Sequence, residues 1–371
     1  MPRRPNKPKV SEPQENRGRA AVSLKQLAGL LNLSPTTLSL VLNNSAGSES
    51  IPQDTKDRIF EAARALNYRP NFVARSLRSQ RTYSVGVLIP ELSDGYSAMV
   101  LTGIEDYLLS AGYMYLVASH RHVAKLISEY PRMLYDRCVE GIIAVDTPYD
   151  DTLALPVVSL SGMKRVAGVT NIVLNHDRAA ALGIEHLVSL GHKKIAFVKG
   201  QSFSSDTHAR WEAMMKAAKE FGVSPGAKLQ VQMEGETPSP EVGYEVARKL
   251  LKGGEQFTAL FAFNDVSAIG AIRAFREAGK SVPEEMSVVG IDDIYEAAYH
   301  IPALTTIRQP LKKMGMLAAQ TLVQRITGAK DEAPEMLEVE PELVVRESTS
   351  APKSGRVSQA KMQRSKSTAA H

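Results

Sequence analysis

The chain has 371 residues, 43% of them hydrophobic and 23% charged, an ordinary soluble mix with length for two or three domains of roughly 100 to 200 residues each. It has no run of about 18 apolar residues for a transmembrane helix and no apolar stretch in its basic opening for a secretory signal, so a cytoplasmic protein without a membrane partner is expected. The net charge of +5 is uneven: 14 Lys/Arg against 6 Asp/Glu in residues 1–81, 5 Lys/Arg and no acid in 350–371, and −8 between, which places an anionic partner at the N-terminus.

Residues 1–20 are rich in Pro, Arg, Lys, Asn and Glu and nearly devoid of apolar side chains. They cannot repay the entropy of ordering and read as a disordered basic arm. From Ser23, a good helix cap, Leu24, Leu27, Ala28 and Leu31 recur at helical spacing. Asn32 suits a left-handed turn. Ser34 then caps a second helix with Pro35 in its first turn, Leu38, Val41 and Leu42 inward, and Asn43 with Asn44 at its end. A third helix from about Pro52 to Leu66 sets Ile59, Ala62, Ala63 and Leu66 on one face and closes a small core. The outward side of the second helix then carries Thr36, Thr37 and Ser39, short hydrogen-bonding side chains of the kind a recognition helix offers to the major groove. These residues alone also fit a helical hairpin that binds nothing.

Further on, VGVLIP, YLVAS, GIIAV, PVVSL, IAFVKG, ALFAFN and SVVGI are short apolar runs separated by helical patterns, which argues for parallel sheets covered by helices on both faces. Such sheets bind ligands at the carboxyl ends of their strands, where Asn264, Asp265 and Asp292 fall. The single cysteine, Cys138, excludes an intrachain disulfide and a cysteine-based zinc cluster, and the eight histidines show no HExxH spacing. GxSxG, Walker A and GxGxxG signatures are missing too, so no catalytic residue, metal or cofactor is expected.

VSLKQLAGLLNLSPTTLSLVLN and ALNYRPNFVARSLRS resemble the headpiece of the lactose-repressor (LacI/GalR) family of bacterial transcription regulators. LGIEHLVSLGHKKIAFVKG, FNDVSAIGAIRAFREAGKSVPEEMSVVGIDD and PALTTIRQPLKKMGMLAA look like later signatures of the same family, in its order. The resemblance implies an α/β protein: a helix-turn-helix headpiece over 21–70, a hinge helix and linker over 71–82, and a two-lobed periplasmic-binding-protein-like core over 83–349. Lobe 1 would hold about 83–174 and 309–340, lobe 2 about 175–308 and 341–349, and 350–371 would be a disordered basic tail without heptads for a coiled coil.

By the same resemblance the partners are double-stranded operator DNA, a carbohydrate-like effector and a second copy of the chain. Ser34, Pro35, Thr36, Thr37, Ser39 and Asn43 would face DNA. In the hinge, Leu77 would wedge into the minor groove between Arg75, Arg78 and Arg81, with Ala74 letting paired helices approach. Tyr96, Arg210, Asn264, Asp292 and Gln309 match the family's cleft positions, Gln309 reading equally as a hinge contact. Ser161 stands where relatives often carry an aspartate, and Pro35 and Leu40 where they often use polar base-reading residues. His120, Arg121 and His122 read either as exposed loop residues or as ligands of an anionic effector. Repression is expected over activation. The rivals are a solute-binding transport protein with the same two lobes, which would need an export signal and no headpiece, and more distantly a sugar-processing enzyme.

Overall fold

The computed structural model describes residues 22–353 apart from 44, 69–75, 78, 94, 150–152, 163–165, 236–238 and 329–333. These residues form two compact units that divide between Arg81 and Thr82. In the first, α1 (Leu24–Leu31), α2 (Pro35–Leu42) and α3 (Gln53–Ala65) enclose Leu27, Ala28, Leu38, Val41, Ile59 and Ala63. Ser23 and Gln26 form a capping box on α1, and Asn32 at φ 58° turns the chain out of it. Ser34 accepts the Thr37 N–H at 3.0 Å and so caps α2. The inward stripe of α3 ends at Ala63. Leu66, expected within it, lies past the helix end and is exposed, because the chain turns away there through Asn67 at φ 47°.

The second unit contains two six-stranded sheets. One is built from β1 (Ser84–Ile89), β2 (Met114–Ser119), β3 (Ile142–Val145), β4 (Val157–Leu160), β5 (Thr170–Leu174) and β11 (Met336–Val339), in the order β11-β5-β4-β3-β1-β2 and parallel throughout. The other comprises β6 (Ile195–Lys199), β7 (Gln230–Gln232), β8 (Ala259–Phe261), β9 (Ser287–Asp292), β10 (Thr305–Arg308) and β12 (Glu342–Val344), in the order β12-β10-β9-β8-β6-β7. Helices α4 (Gly95–Ser110), α5 (Ala124–Tyr135) and α11 (Leu311–Ile326) pack on the first sheet. The second is covered by α6 (His176–Ser189), α7 (Thr207–Glu220), α8 (Pro240–Lys252) and α9 (Asp265–Glu277), with the short α10 (Tyr295–Tyr299) after β9. Burial on both faces explains why the central strands read as unbroken apolar runs.

The chain passes between the lobes after Leu174, between Arg308 and Leu311, and at 340–341. The last passage has a topological consequence. β11 leaves the first sheet at its carboxyl end and two residues later the chain enters the second sheet from the cleft side, so β12 runs antiparallel to β10. One edge of the second sheet therefore departs from the parallel arrangement. α4 and α11 approach so closely that a Cβ at Gly103 or Gly315 would collide with the backbone of the facing helix.

The expectation of a disordered tail from residue 350 is corrected at its start. Ser350 donates its N–H to Ser287 Oγ at 3.0 Å, its carbonyl receives the His192 ring at 2.9 Å, and Pro352 is buried. These bonds satisfy polar groups at the amino ends of the lobe 2 strands, which fastens the chain as far as Lys353. The rest of the tail and the N-terminal arm lie outside the described residues.

Candidate functional site

On α2, Ser34, Pro35, Thr36 and Asn43 are exposed, and Thr37 and Ser39 are half-buried. The Thr37 hydroxyl lies 2.8 Å from that of Ser34 and is drawn into the cap. Asn43 Nδ2 donates to the Ser39 carbonyl at 2.8 Å and turns back on its own helix. Thr36 makes no side-chain hydrogen bond among the described residues and is exposed. Leu40 packs toward Gly47. In the hinge, Leu77 has helical backbone and is 76% exposed, whereas Ala74, Arg75 and Arg78 lie outside the described residues.

In the two-lobed unit, β1 and β6 each sit between strands whose connections leave in opposite directions, the arrangement that opens a crevice at strand carboxyl ends. Lobe 1 contributes Tyr96 after β1, His120 and His122 after β2, Asp146 after β3 and Ser161 after β4. From lobe 2 come residues 201–206 after β6, Arg210 on α7, Phe263 and Asn264 after β8, Asp292 at the end of β9 and Gln309 after β10. His122, Asp146, Ser161 and Asp292 all have positive φ, so backbone strain gathers where the strands open into the cleft.

Arg210, 4% exposed, organises the lobe 2 side. Its guanidinium donates to the Phe263 carbonyl at 2.7 Å and to Asp206 Oδ2 at 3.2 Å, lies 3.9 Å from Asp292 Oδ1 and covers the Phe263 ring at 4.5 Å. Asp206 Oδ1 faces His176 Nε2 at 3.4 Å. Burial alone would raise the Asp206 carboxyl, but His176 and then Arg210 outweigh it and hold it below the usual aspartate value. Gln309 Nε2 donates to Asp292 Oδ1 at 2.6 Å. Asn264 accepts the Ser267 N–H at 2.9 Å, so its side chain caps α9 at the cleft wall.

On the lobe 1 side, the Tyr96 and Ser161 hydroxyls are 2.7 Å apart. Burial, then Asp206 and Asp146, push the Tyr96 phenol well above its ordinary value. Asp146 Oδ1 accepts the Ser205 N–H from lobe 2 at 2.9 Å, and the Ser205 hydroxyl lies between that carboxylate and the Ser161 carbonyl. Burial and the nearby Asp206 charge push Asp146 up to about 7, against the Ser205 hydrogen bonds and Arg210.

The reading of His120–His122 as exposed loop residues holds only for Arg121. His120 is fully buried, its ring 2.9 Å from the Thr147 hydroxyl, and burial followed by the His122 charge lowers it to about 4. His122 is half-buried and stacks on Phe203 of lobe 2 with ring centroids 4.0 Å apart. A neutral His120 cannot serve as a cation for an anionic ligand.

The structure thus brings Tyr96, Ser161, Arg210, Asn264, Asp292 and Gln309 to one crevice. To these it adds His176, Phe203, Ser205, Asp206 and Phe263, and the unremarked Asp146. Their signal was position: Asp146 directly follows an apolar strand run, and Asp206 precedes Arg210 by four residues, one helical turn. Arg210 Nε, Gln309 Oε1 and His122 Nε2 are buried without a hydrogen-bond partner among the described residues. The cavity between the lobes measures about 50 Å³, well below the roughly 300 to 1,000 Å³ typical of small-molecule pockets.

Residues 23–71 match the family model described as bacterial regulatory proteins, lacI family, and residues 184–349 match the periplasmic binding protein-like domain. The HTH-type transcriptional repressor PurR of Haemophilus influenzae strain Rd is 32% identical over 339 residues, covering 88% of this chain and 98% of the relative. A crystal structure of the lac repressor dimer bound to operator and the anti-inducer ONPF aligns with a TM-score of 0.78 at 27% identity, covering 89% of this chain and all of that one. The transcriptional regulator CelR in complex with cellobiose aligns at 0.65 and 26% identity, with coverages of 88% and 99%.

Proposed function

The chain belongs to the lacI family of bacterial regulatory proteins, and on that premise we propose that it represses transcription as a homodimer whose grip on an operator is set by a small molecule between its lobes. Operator DNA meets the exposed face of α2, with Thr36 the side chain best placed to touch a base edge, and Leu77 enters the minor groove between the two half-sites. We read the protein as a binding protein rather than an enzyme and place it in the cytoplasm, where its DNA is.

The observation that carries the effector reading is the buried Arg210–Asp292–Gln309 cluster, with Arg210 Nε and Gln309 Oε1 unpartnered among the described residues, at the crevice where both sheets end. Groups of this kind are retained where a ligand completes their hydrogen bonds. The charges narrow the ligand. Arg210 already faces two carboxylates, Asp206 and Asp292, and Asp146 adds a third acid, so among the described residues the cleft offers acceptors and no cation free of a carboxylate. It suits an uncharged, hydroxyl-rich, carbohydrate-like effector, with Tyr96, Phe203 and Phe263 as flat contact surfaces. The cellobiose held by the similar regulator CelR is of that class.

The second copy meets the face that carries Tyr295, Tyr299 and Ile301, exposed to 70%, 85% and 75%, beside a groove lined by Val266, Ile269 and Ile294. Exposed large apolar side chains gathered beside an apolar groove suit an interface. The test is a thermal-shift screen of sugars, sugar acids, sugar phosphates and nucleobases against the purified chain, followed by operator binding with every hit. A neutral sugar that raises the midpoint and alters operator affinity supports the reading; hits confined to anionic compounds refute the effector class.

A further inference from the structure

We propose that Asp146 and Ser205 form a proton-sensitive catch that holds the two lobes closed. Asp146 ends the β3 run in lobe 1, and Ser205 lies in the loop between β6 and α7 in lobe 2, 59 residues away. Their hydrogen bonds span the cleft: Ser205 N–H to Asp146 Oδ1 at 2.9 Å, the Ser205 hydroxyl against the same oxygen, and Ser204 Oγ toward Oδ2 at 3.5 Å. The Ser205 hydroxyl also reaches the Ser161 carbonyl beyond β4, so one loop of lobe 2 engages two strand ends of lobe 1. The His122–Phe203 stack closes over the same loop.

Closure removes two carboxylates from water together, Asp146 from lobe 1 and Asp206 from lobe 2. The charged and titratable groups around Asp146 are Asp206 and Arg210 from the α7 side, Asp292 from β9, Tyr96 from α4, and His120 through Thr147. Arg210 is engaged by Asp206 and Asp292, His176 faces Asp206 rather than Asp146, and His120 is neutral. Asp146 therefore has hydrogen-bond donors in the closed cleft but no cation of its own. With the lobes apart, a solvated aspartate titrates near about 4; in the closed cleft Asp146 is pushed up to about 7 by burial and by Asp206.

The closed form therefore holds a proton that the open form has lost. Closure is fully favoured below the open-cleft value, weakens as pH rises toward 7, and levels off above it. The catch acts on the free protein and needs no effector, so its failure would leave the effector reading of the cleft untouched.

Hydrogen exchange of the full-length chain, read by mass spectrometry on peptides spanning 201–206, reports the Ser205 amide directly. Normalised to the chemical exchange rate at each pH, protection is expected to fall by up to about tenfold per pH unit from pH 5 to 7 and then flatten, while peptides from β8 stay constant. Asp146→Asn keeps an acceptor but no titrating proton and should give a flat profile. Ser205→Ala should lower protection at every pH and keep the slope. Protection in the wild-type chain that is independent of pH from 5 to 8 overturns the proposal without any variant, and so does an Asp146→Asn profile with the wild-type slope. The emission of Trp211, the only tryptophan, on the helix that follows this loop, should titrate over the same range.

Discussion

Gln309 Nε2 lies 2.6 Å from Asp292 Oδ1, which ties the segment crossing from lobe 2 to lobe 1 to the strand end whose carboxylate lines the cleft. A ligand that donates hydrogen bonds to Asp292 must therefore act on the crossing as well. Asp292→Asn should weaken effector binding by about 2 kcal/mol, near thirtyfold, and leave operator binding without effector intact. Isothermal titration with a screen hit, alongside a melting curve, separates this from unfolding: a variant that binds normally removes Asp292 from the site.

Thr36→Ala should lower affinity for the cognate operator by about 1 to 3 kcal/mol if its hydroxyl reads a base edge, with random duplex bound as before. Thr37→Ala should have a smaller effect on specificity, because its hydroxyl is engaged by Ser34 in the helix cap. Fluorescence anisotropy on both duplexes checks the pair. Equal loss on random DNA would assign Thr36 to phosphate.

Leu77 is exposed and has no role in either core, so Leu77→Ala should leave lobe melting and effector affinity unchanged. Operator affinity and operator bending should fall together, the signature of a lost wedge. The slope of log K against log salt should hold, since no charge is removed, whereas Arg78→Ala should shallow it by about 0.9 if it neutralises one phosphate. Gel-shift bending assays over a salt series read both effects.

Tyr299→Glu places a charge in the apolar face opposite the proposed second copy. Analytical ultracentrifugation should show monomers at concentrations where wild type is dimeric, and operator affinity should drop sharply because each half-site needs its own headpiece. A dimer that survives the change moves the interface elsewhere.

Buried His120, lowered to about 4 by burial and then by the His122 charge, is neutral in the fold, while an unfolded histidine titrates near about 6.5. The unfolded chain then takes up a proton first, so this residue's contribution to stability is present above about 6.5 and is lost as pH falls toward 4. His120→Gln should reduce the loss of stability between these values, measured by urea melts at each pH. An unchanged acid limb would mean that His120 stays accessible to protons.

Much of this architecture is legible in local pattern. Ser34-Pro35 announces α2, the apolar runs announce the central strands, and the placement of Asn264 and Asp292 after such runs already points to a crevice. What local pattern cannot show is which loops meet. Asp146, Ser205 and Asp206 become one polar cluster only because β3 and β6 belong to sheets that face each other, and nothing in the residues between records that. His120 misleads for a related reason: a polar residue after a strand reads as solvated unless the Thr147 loop that covers it is known. The reversed direction of β12 follows from a two-residue passage between lobes, a matter of geometry with no compositional trace.

The bonds joining Ser350 to Ser287 and His192 pin the last described stretch of the chain. They sit at the amino ends of the lobe 2 strands, the side opposite the crevice. A fluorescent dye attached at position 353 would sit on that far side, clear of ligand entry, and a matched fluorophore at Cys138, exposed in lobe 1, would sense the distance between the lobes. This anchorage thus makes the chain a ready frame for an optical sensor of whatever its cleft accepts.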